Sequence, residues 1–180
     1  KNPADLGAGK WQELDLQEQG FPEDAWSLQV ASPPMHGLTF PGDTSGKVVF
    51  AGFGSEKEFA QLSKTMGEEL RNCIALIRYG RLYRGMKVAN AEAAGCKAAL
   101  LYCDPDDDGG SRGEMLPKGK WRTVTSIQRG SVFNAHGDPL TPGWASLPKA
   151  PRLDLEQVKG LVKIPSLPIS WQNAEKIFAG

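Results

Sequence analysis

The sequence predicts a single domain of mixed α/β (α+β) class, and three observations lead to this prediction. Two short, continuously apolar runs at residues 74–77 and 98–102 are typical of buried strands in a parallel sheet. The alanine-rich segment between them, residues 85–94, favours a helix that packs closely on that sheet. Strand, helix and strand within about thirty residues make one βαβ unit. The chain of 180 residues is also long enough for one well-buried core.

The chain before this unit is predicted to start with a polar lead-in. Trp26, Leu28 and Val30 alternate with polar residues, which indicates a short half-buried strand. Prolines and glycines then mark a loop. We therefore expect residues 1–45 to be a lead-in segment with one short strand, packed on a domain formed by residues 46–180.

A strand and a capped helix are predicted next. The apolar run at residues 48–51 predicts a strand that closes at the glycines after it. Ser55, with Glu58 three residues on, has the spacing of a capping box. The helix that follows is expected to end near Gly67 and to present three apolar residues on one face: Phe59, Leu62 and Met66.

Long loops are predicted after the βαβ unit. An acidic, glycine-rich stretch occupies residues 104–113, and a second loop with two prolines occupies residues 137–143. A short extended piece is expected at residues 126–132. Two prolines hold residues 165–168 extended, and Ser170 has the position of an N-cap for a final helix through Phe178.

Composition excludes several classes of function. The 21 lysines and arginines balance the 21 aspartates and glutamates, so no net charge attracts nucleic acid. The chain contains neither a membrane-spanning apolar run nor a signal peptide, and its first residue is Lys1, so we expect a piece of a longer protein. Cys73, Cys96 and Cys103 lack the spacing of a zinc or disulfide framework and are expected to be apolar core or strand-end residues.

The sequence offers no set of catalytic residues. Its two histidines, His36 and His136, lie far apart in loops rich in glycine and proline and are expected to face solvent. No nucleotide-binding glycine motif opens a helix. The acidic loop matches the first half of an EF-hand, but Met115 occupies the position of the closing glutamate, so a solvated acidic loop is expected.

Four basic residues surround the start of the predicted βαβ helix: Arg78, Arg81, Arg84 and Lys87. Arg84 directly precedes Gly85, where the free N–H groups of the helix N-terminus gather. A guanidinium beside such donors is suited to bind a carboxylate. The alternative is a surface arginine paired with an aspartate or glutamate, and the residues alone favour that alternative.

Several blocks of the sequence are similar to one known family. The first block comprises residues 77–88 (IRYGRLYRGMKV), continued by Leu-Tyr-Cys-Asp-Pro at residues 101–105. Three more follow in the same order as in the family: residues 128–131 (QRGS), 137–144 (GDPLTPGW) and 164–171 (IPSLPISW). Together they resemble the protease-associated (PA) domain of the glutamate carboxypeptidase and transferrin receptor family of zinc peptidases.

This resemblance implies a fold and a setting. The fold would be a β-sandwich-like sheet core with a βαβ unit and flanking short helices. The domain would be inserted into a zinc carboxypeptidase or dipeptidase, whose zinc and catalytic residues lie in a separate domain. It would line the substrate cleft without catalysing the reaction itself. Its partners would be a peptide substrate and the catalytic and helical dimerisation domains of the same parent chain, in a homodimer. The parent would be membrane-anchored, secretory or vacuolar, with this domain on the non-cytosolic side.

The resemblance also implies site residues. Arg84 falls on the family arginine that binds the free carboxylate of the substrate's C-terminal residue. Ser131 falls where some members have an asparagine that helps to hold the same carboxylate. Thr141 and Trp144 fall on positions that give oxygen ligands to a structural calcium between domains. The remaining calcium ligands would come from the catalytic domain.

Two other interpretations remain open at the level of sequence. The chain could be a ligand-binding piece of the ectodomain of a transferrin-receptor-like protein without enzymatic activity. It could also be a free-standing protein-interaction module, although the Gly-Asp-Pro-Leu-Thr-Pro-Gly block at residues 137–143 argues against that.

Overall fold

A four-stranded parallel sheet organises the computed structural model, which describes residues 12–29 and 32–179. Its strands follow the order β2-β3-β4-β6, and β1 and β5 form a separate parallel pair. The strands span β1 (His36–Gly37), β2 (Val48–Phe50), β3 (Ile74–Arg78), β4 (Ala98–Tyr102), β5 (Gly130–Ser131) and β6 (Ser166–Ile169). The mixed α/β class predicted from the sequence is confirmed.

Four helices accompany these strands in the described residues: α1 (Glu56–Met66), α2 (Arg84–Ala93), α3 (Pro105–Asp108) and α4 (Trp171–Phe178). Helices α1 and α2 connect β2 to β3 and β3 to β4, so the chain contains two successive βαβ units. None of these helices has the length and apolar character that a membrane span needs.

The local signals in the sequence place α1 and α2 correctly. The Ser55 hydroxyl accepts a hydrogen bond from the Glu58 N–H at 3.2 Å, and the Glu58 carboxylate accepts one from the Ser55 N–H at 2.9 Å. This reciprocal pair satisfies two of the free donors at the start of α1. At the end of α2, Gly95 has a φ of +85°, which a residue without a side chain adopts at little cost.

Each face of the sheet packs against helices. Helices α1 and α2 cover one face, where Ala75, Ile77 and Val88 are buried in the larger apolar cluster. Helix α4 covers part of the other face, where Leu76 and Tyr102 belong to a smaller cluster. This arrangement explains why the sequences of β3 and β4 are continuously apolar, since both faces of these strands are removed from water.

The predicted strand at Trp26 and Leu28 is wrong. The segment forms turns instead, because the Ser27 hydroxyl bonds to the carbonyls of Phe21 and Asp24 at 3.1 and 2.7 Å. Local side-chain bonds of this kind compete with strand pairing. Trp26 is 79% exposed as a result. Val30, the third residue of the predicted strand, lies outside the described residues.

The acidic loop is more ordered than the sequence suggested. Asp104 caps the one-turn helix α3, and Pro105 fills its first position. Arg78 contacts Asp104 and Asp107 at 3.5 and 2.6 Å, while Arg122 pairs with Asp108 at 2.9 Å. Arginines therefore pair with two of the carboxylates that an EF-hand would use to bind calcium, those of Asp104 and Asp108.

The extended segment at residues 165–168 is confirmed and becomes the edge strand β6. Leu101 is aligned with Pro168 in this parallel pairing. An edge position suits a proline, because one side of the strand needs no N–H donor. The extended piece expected at residues 126–132 contains β5, and the final helix begins at the Ser170 cap as predicted.

The described part of the lead-in makes long-range contacts with the rest of the chain. Glu18 pairs with Arg129 at 2.6 Å and accepts the Ile127 N–H at 2.7 Å. The Asp15 carbonyl accepts a hydrogen bond from the buried amide of Asn173 at 2.8 Å. These contacts dock the lead-in on the segment just before β5 and on α4. The division at residues 45 and 46 stays a prediction.

Candidate functional site

Arg84, the first residue of α2, lies flat against the backbone of β5. A Cβ atom added to Gly130 would collide with its guanidinium, so only glycine permits this approach. The Arg84 Cζ atom also lies 5.6 Å from the centre of the Tyr83 ring. The turn before α2 and the backbone of β5 therefore hold the guanidinium on two sides.

One edge of the Arg84 guanidinium is free. Its Nη1 donates to the Ser131 carbonyl over a long 3.4 Å. Its Nε is buried without a hydrogen-bond partner, and Nη2 donates to no residue in the described ranges. No carboxylate within those ranges forms an ion pair with Arg84. The surface-pair alternative for Arg84 therefore has no support in the described chain, and the Nε–Nη2 edge has the geometry that binds a carboxylate side-on.

Ser131 lies in β5 beside this guanidinium. Its Oγ accepts the Phe133 N–H at 3.0 Å, which leaves the hydroxyl proton available to donate. The Ser131 carbonyl accepts the Tyr83 hydroxyl at 2.7 Å. The structure thus brings Arg84 and Ser131 together, as the resemblance implied, and adds Tyr83 as a support. Tyr83 lies inside the first similar block, but no pattern in the sequence singled it out.

His36 was expected to face solvent, and that expectation is wrong. The side chain is 2% exposed, with Nδ1 at 2.9 Å from the Ser166 Oγ and Nε2 at 2.8 Å from the Tyr79 hydroxyl. Burial, and then the positive charge of Arg84, lower the pKa of His36 to about 4. The sequence around His36 did not predict that the side chain is buried, because β1 is only two residues long and its partner β5 is distant in the chain. His136 is exposed, as expected.

Tyr79 follows β3 directly and connects His36 to the loop before β5. Its hydroxyl donates to the Gln128 carbonyl at 2.9 Å. Burial raises the pKa of Tyr79, and the Arg84 charge opposes this shift. The Arg84 charge lowers the pKa of both His36 and Tyr79, adding to the effect of burial on the first and opposing it on the second, as expected of a guanidinium close to this buried pair.

The other basic residues near α2 have partners within the domain. Arg78 binds the aspartates of α3, and the Arg81 Cζ lies 4.0 Å from the centre of the Phe53 ring. Lys87 is fully buried and donates to the Phe53 and Gly80 carbonyls at 2.5 and 2.6 Å. Burial lowers the pKa of Lys87 to about 8. Lys87 thus connects the loop after β2 to the loop after β3. The sequence did not predict this structural role, because a lysine in an amphipathic helix usually faces solvent.

Thr141 and Trp144 share one turn, with the Trp144 N–H donating to the Thr141 carbonyl at 3.3 Å. The Thr141 Oγ1 is buried and has no hydrogen-bond partner of good geometry among the described residues. Bonds from the Ser146 hydroxyl and the Leu140 N–H lower the pKa of nearby Asp138, and Thr141 adds a weaker effect. The orphaned hydroxyl and the turn carbonyls are hard oxygen donors of the kind that calcium binds.

The described residues offer no cluster of zinc ligands. Across residues 12–29 and 32–179, no three histidine, cysteine, aspartate or glutamate side chains cluster at metal-binding distance. The three cysteines are buried as free thiols, in agreement with the expectation that they are core or strand-end residues. Burial raises the pKa of Cys96 to about 11, which makes its thiolate scarce at neutral pH.

Comparison with known proteins adds a family to this geometry. Residues 30–140 match the PA domain family. The chain is 38% identical over 165 residues to a probable glutamate carboxypeptidase of Arabidopsis thaliana, covering 90% of this chain and 24% of that protein. It is 39% identical over 140 residues to aminopeptidase NAALADL1 of Mus musculus, covering 76% of this chain and 19% of that protein. The chain thus spans about a quarter or less of these relatives.

Solved structures of peptidases also match. The zinc aminopeptidase BSAP of Bacillus subtilis aligns with a TM-score of 0.42 and 21% identity, over 74% of this chain and 21% of that one. An aminopeptidase from Aneurinibacillus sp. strain AM-1 aligns with a TM-score of 0.32 and 30% identity, over 37% of this chain and 15% of that one.

Proposed function

The chain belongs to the PA domain family, and from that premise we propose that it binds the C-terminal carboxylate of a peptide in the substrate cleft of a glutamate carboxypeptidase-like zinc peptidase. The observation that supports this proposal most directly is the free Nε–Nη2 edge of Arg84, buried at Nε and unpaired within the described chain. An unpaired buried donor is costly unless a ligand supplies the acceptor. The name glutamate carboxypeptidase, which one of the similar proteins carries, describes an enzyme that acts at the C-terminal end of a peptide.

Carboxylate recognition explains why such a domain is useful to a carboxypeptidase. A chain terminus differs from an internal peptide bond by one negative charge. A fixed guanidinium selects that charge, and its two parallel donors orient the carboxylate plane. Orientation at this end of the substrate places the scissile bond against the catalytic group, which contributes to the rate.

Ser131 is proposed as the second contact. Its hydroxyl proton is available because Oγ already accepts from the Phe133 N–H. Ser131 and Arg84 are joined through the Ser131 carbonyl, so one carboxylate can meet both side chains from the same side of β5. A serine is shorter than the asparagine of some family members, and we expect it to contribute less than Arg84.

The rest of the proposed machinery belongs to the parent protein. The zinc and the acid–base residues would lie in a separate catalytic domain, since the described residues hold no candidate zinc cluster. Thr141 and Trp144 would give oxygen ligands to a calcium ion at the interface with that domain. A helical domain of the parent would form a homodimer. This chain's own contribution is to bind and orient the substrate terminus.

Substitution of Arg84 in the full-length peptidase tests the proposal. Arg84→Ala should lower kcat/KM for a substrate with a free C-terminus by about thirty- to a thousandfold, because a charge-assisted double hydrogen bond worth about 2–4 kcal/mol is lost. Arg84→Lys should recover only part, since a point charge lacks the planar fork. The measurement is kcat/KM for matched substrates that end in a carboxylate or in an amide.

The amide comparison separates carboxylate binding from general damage. Wild-type enzyme should discriminate strongly against the amide, and Arg84→Ala should discriminate little, because both changes remove the same contact. Arg81→Ala is the matched control, an exposed arginine three residues earlier that stacks on Phe53. Equal discrimination by wild type and Arg84→Ala would contradict the proposal. A parent that removes only N-terminal residues from long peptides would show that outcome.

A further inference from the structure

A chain of hydrogen bonds runs from β6 through His36 to the loop before β5. Tyr79 has one hydroxyl proton and donates it to the Gln128 carbonyl at 2.9 Å. The Tyr79 oxygen, 2.8 Å from the His36 Nε2, must therefore accept a proton from that nitrogen. Burial lowers the pKa of His36 to about 4, so the imidazole is neutral at pH 7 and carries its one proton on Nε2. The bare Nδ1 then accepts the Ser166 hydroxyl at 2.9 Å.

The outer end of the chain is closed as well. The Ser166 proton is used on His36, so the Thr39 hydroxyl donates to the Ser166 Oγ at 3.0 Å. Thr39 in turn accepts the Ser166 backbone N–H at 2.8 Å. Every proton in the chain has one acceptor, so the network specifies a single arrangement of these side chains.

This network supports the backbone on which Arg84 lies. Tyr79 binds the Gln128 carbonyl two residues before Gly130, and His36 is the strand partner of Gly130 itself. Gly130 is the residue whose backbone touches the guanidinium. His36 and Tyr79 therefore hold the 128–131 segment next to its contact with Arg84, through the pairing of His36 with Gly130 and the bond of Tyr79 to Gln128.

We infer that His36 and Tyr79 are positioning residues for Arg84, and that they aim its free Nε–Nη2 edge at the substrate carboxylate by fixing the 128–131 segment. The inference rests on the proposed function of Arg84. The buried neutral His36 also avoids a second positive charge beside the guanidinium, in keeping with its pKa of about 4. A displaced β5 would leave the arginine charged but misaligned, and a side-on double hydrogen bond tolerates little misalignment.

Tyr79→Phe in the full-length peptidase tests this inference, because it removes the bond to Gln128 and keeps the ring. We expect kcat/KM for the free-carboxylate substrate to fall about three- to tenfold and kcat/KM for the matching amide to stay within about twofold of wild type. Ser166→Ala, which leaves the His36 Nδ1 without its donor, should reduce carboxylate discrimination in the same direction. If Tyr79→Phe does not fold, the ratio of carboxylate to amide activity of Ser166→Ala tests the same inference.

A matched control is Tyr102→Phe. Tyr102 is also buried and also loses one hydroxyl bond, to Asp104 at 3.2 Å, but it lies in the cluster under α4. It should leave the ratio of carboxylate to amide activity unchanged. The double variant Tyr79→Phe with Arg84→Ala should match Arg84→Ala alone, since a residue that acts through Arg84 has nothing left to position.

The outcomes distinguish this inference from the function on which it rests. If Arg84→Ala abolishes carboxylate discrimination while Tyr79→Phe lowers carboxylate and amide activity equally, positioning is refuted and the carboxylate site stands. Full additivity of the two substitutions also refutes positioning. If Arg84→Ala itself keeps the discrimination, both the proposed function and the positioning role are refuted.

Discussion

Single residues in this domain acquire their chemistry from burial. His36 and His136 have the same ordinary properties in solution, yet one is 2% exposed and the other faces water. Desolvation disfavours the charged form of a buried imidazole, and the neighbouring Arg84 adds repulsion. The site therefore holds a histidine that stays neutral across the physiological range, beside the Arg84 guanidinium.

The depressed pKa of His36 predicts a pH dependence of stability. The pKa falls from 6.5 in the unfolded chain to about 4 in the folded one, so the unfolded state binds the proton first as the pH drops. Stability is therefore fully present above pH 6.5 and is lost progressively toward pH 4. The loss amounts to about 3 kcal/mol on reaching pH 4, of which about 2 kcal/mol has occurred by pH 5. Urea unfolding of the chain between pH 7.5 and 5 measures it.

A histidine comparison isolates this effect from carboxylates that titrate at lower pH. His36→Gln should be less stable than wild type at pH 7.5 but should lose less stability between pH 6.5 and 5. His136→Gln, the same change at the exposed histidine, should follow the wild-type curve. Parallel curves for wild type and His36→Gln would show that His36 does not carry the pH dependence.

At the scale of elements, the helices depend on caps that are visible in the sequence. The Ser55 hydroxyl and the Glu58 carboxylate form the complete box at the start of α1, and Glu58 also accepts the Phe53 N–H at 2.9 Å. The box therefore fixes both the first turn of α1 and the glycine-rich loop that follows β2. Lys87 binds the carbonyl of Phe53 in that same loop.

Ser55→Ala is predicted to lower the free energy of unfolding by about 1 kcal/mol, because the Glu58 N–H loses its side-chain acceptor. Chemical denaturation of the chain measures the change. Ser63→Ala makes the same substitution at an exposed position within α1 and should stay within about 0.5 kcal/mol of wild type. Similar losses at both positions would argue against a specific role of the cap.

The whole molecule combines two βαβ units that are built from neighbouring segments with a candidate site that is built from distant ones. Each βαβ unit joins neighbouring segments, and the register of β3 with β4 continues from Ile74 opposite Ala98 to Arg78 opposite Tyr102. The β1–β5 pair instead brings His36 to Gly130 and supplies the support for Arg84. The proposed carboxylate site therefore lies where the local and the distant pairings meet.

Calcium is predicted to leave the melting temperature of the isolated chain nearly unchanged. Three of the four aspartates of the acidic loop already pair with Arg78 or Arg122, and Thr141 has only part of a ligand set. Weak binding at sub-millimolar calcium should raise the melting temperature by less than about 1 °C. Thermal unfolding with and without calcium, with magnesium as the matched control, checks this.

A rise of several degrees specific to calcium would contradict that expectation. Two variants would then locate the ion. Loss of the effect in Asp107→Asn would assign the site to the acidic loop, and its loss in Thr141→Val would show that the turn of Thr141 and Trp144 binds calcium without the rest of the parent protein.

The sequence by itself determined the local elements and the family. The signals that predicted α1, α2, β3 and β4 correctly were a capping box, two apolar runs and a glycine at a helix end. Each of them depends only on residues a few positions apart or on one continuous segment. The similar blocks identified the PA domain and pointed to Arg84. The lone alternation at Trp26 and Leu28 was a weaker signal, and local bonds from Ser27 overrode it.

Only the tertiary structure decided the environment of the site. The contact of Arg84 with Ser131 spans 47 positions, and the bond of His36 to Ser166 spans 130. No periodicity within one segment encodes such separations, because they depend on which strands pair once the chain has folded. Burial then set the neutral state of His36 and left one edge of Arg84 without a partner, since both follow from the neighbours that the fold brings together.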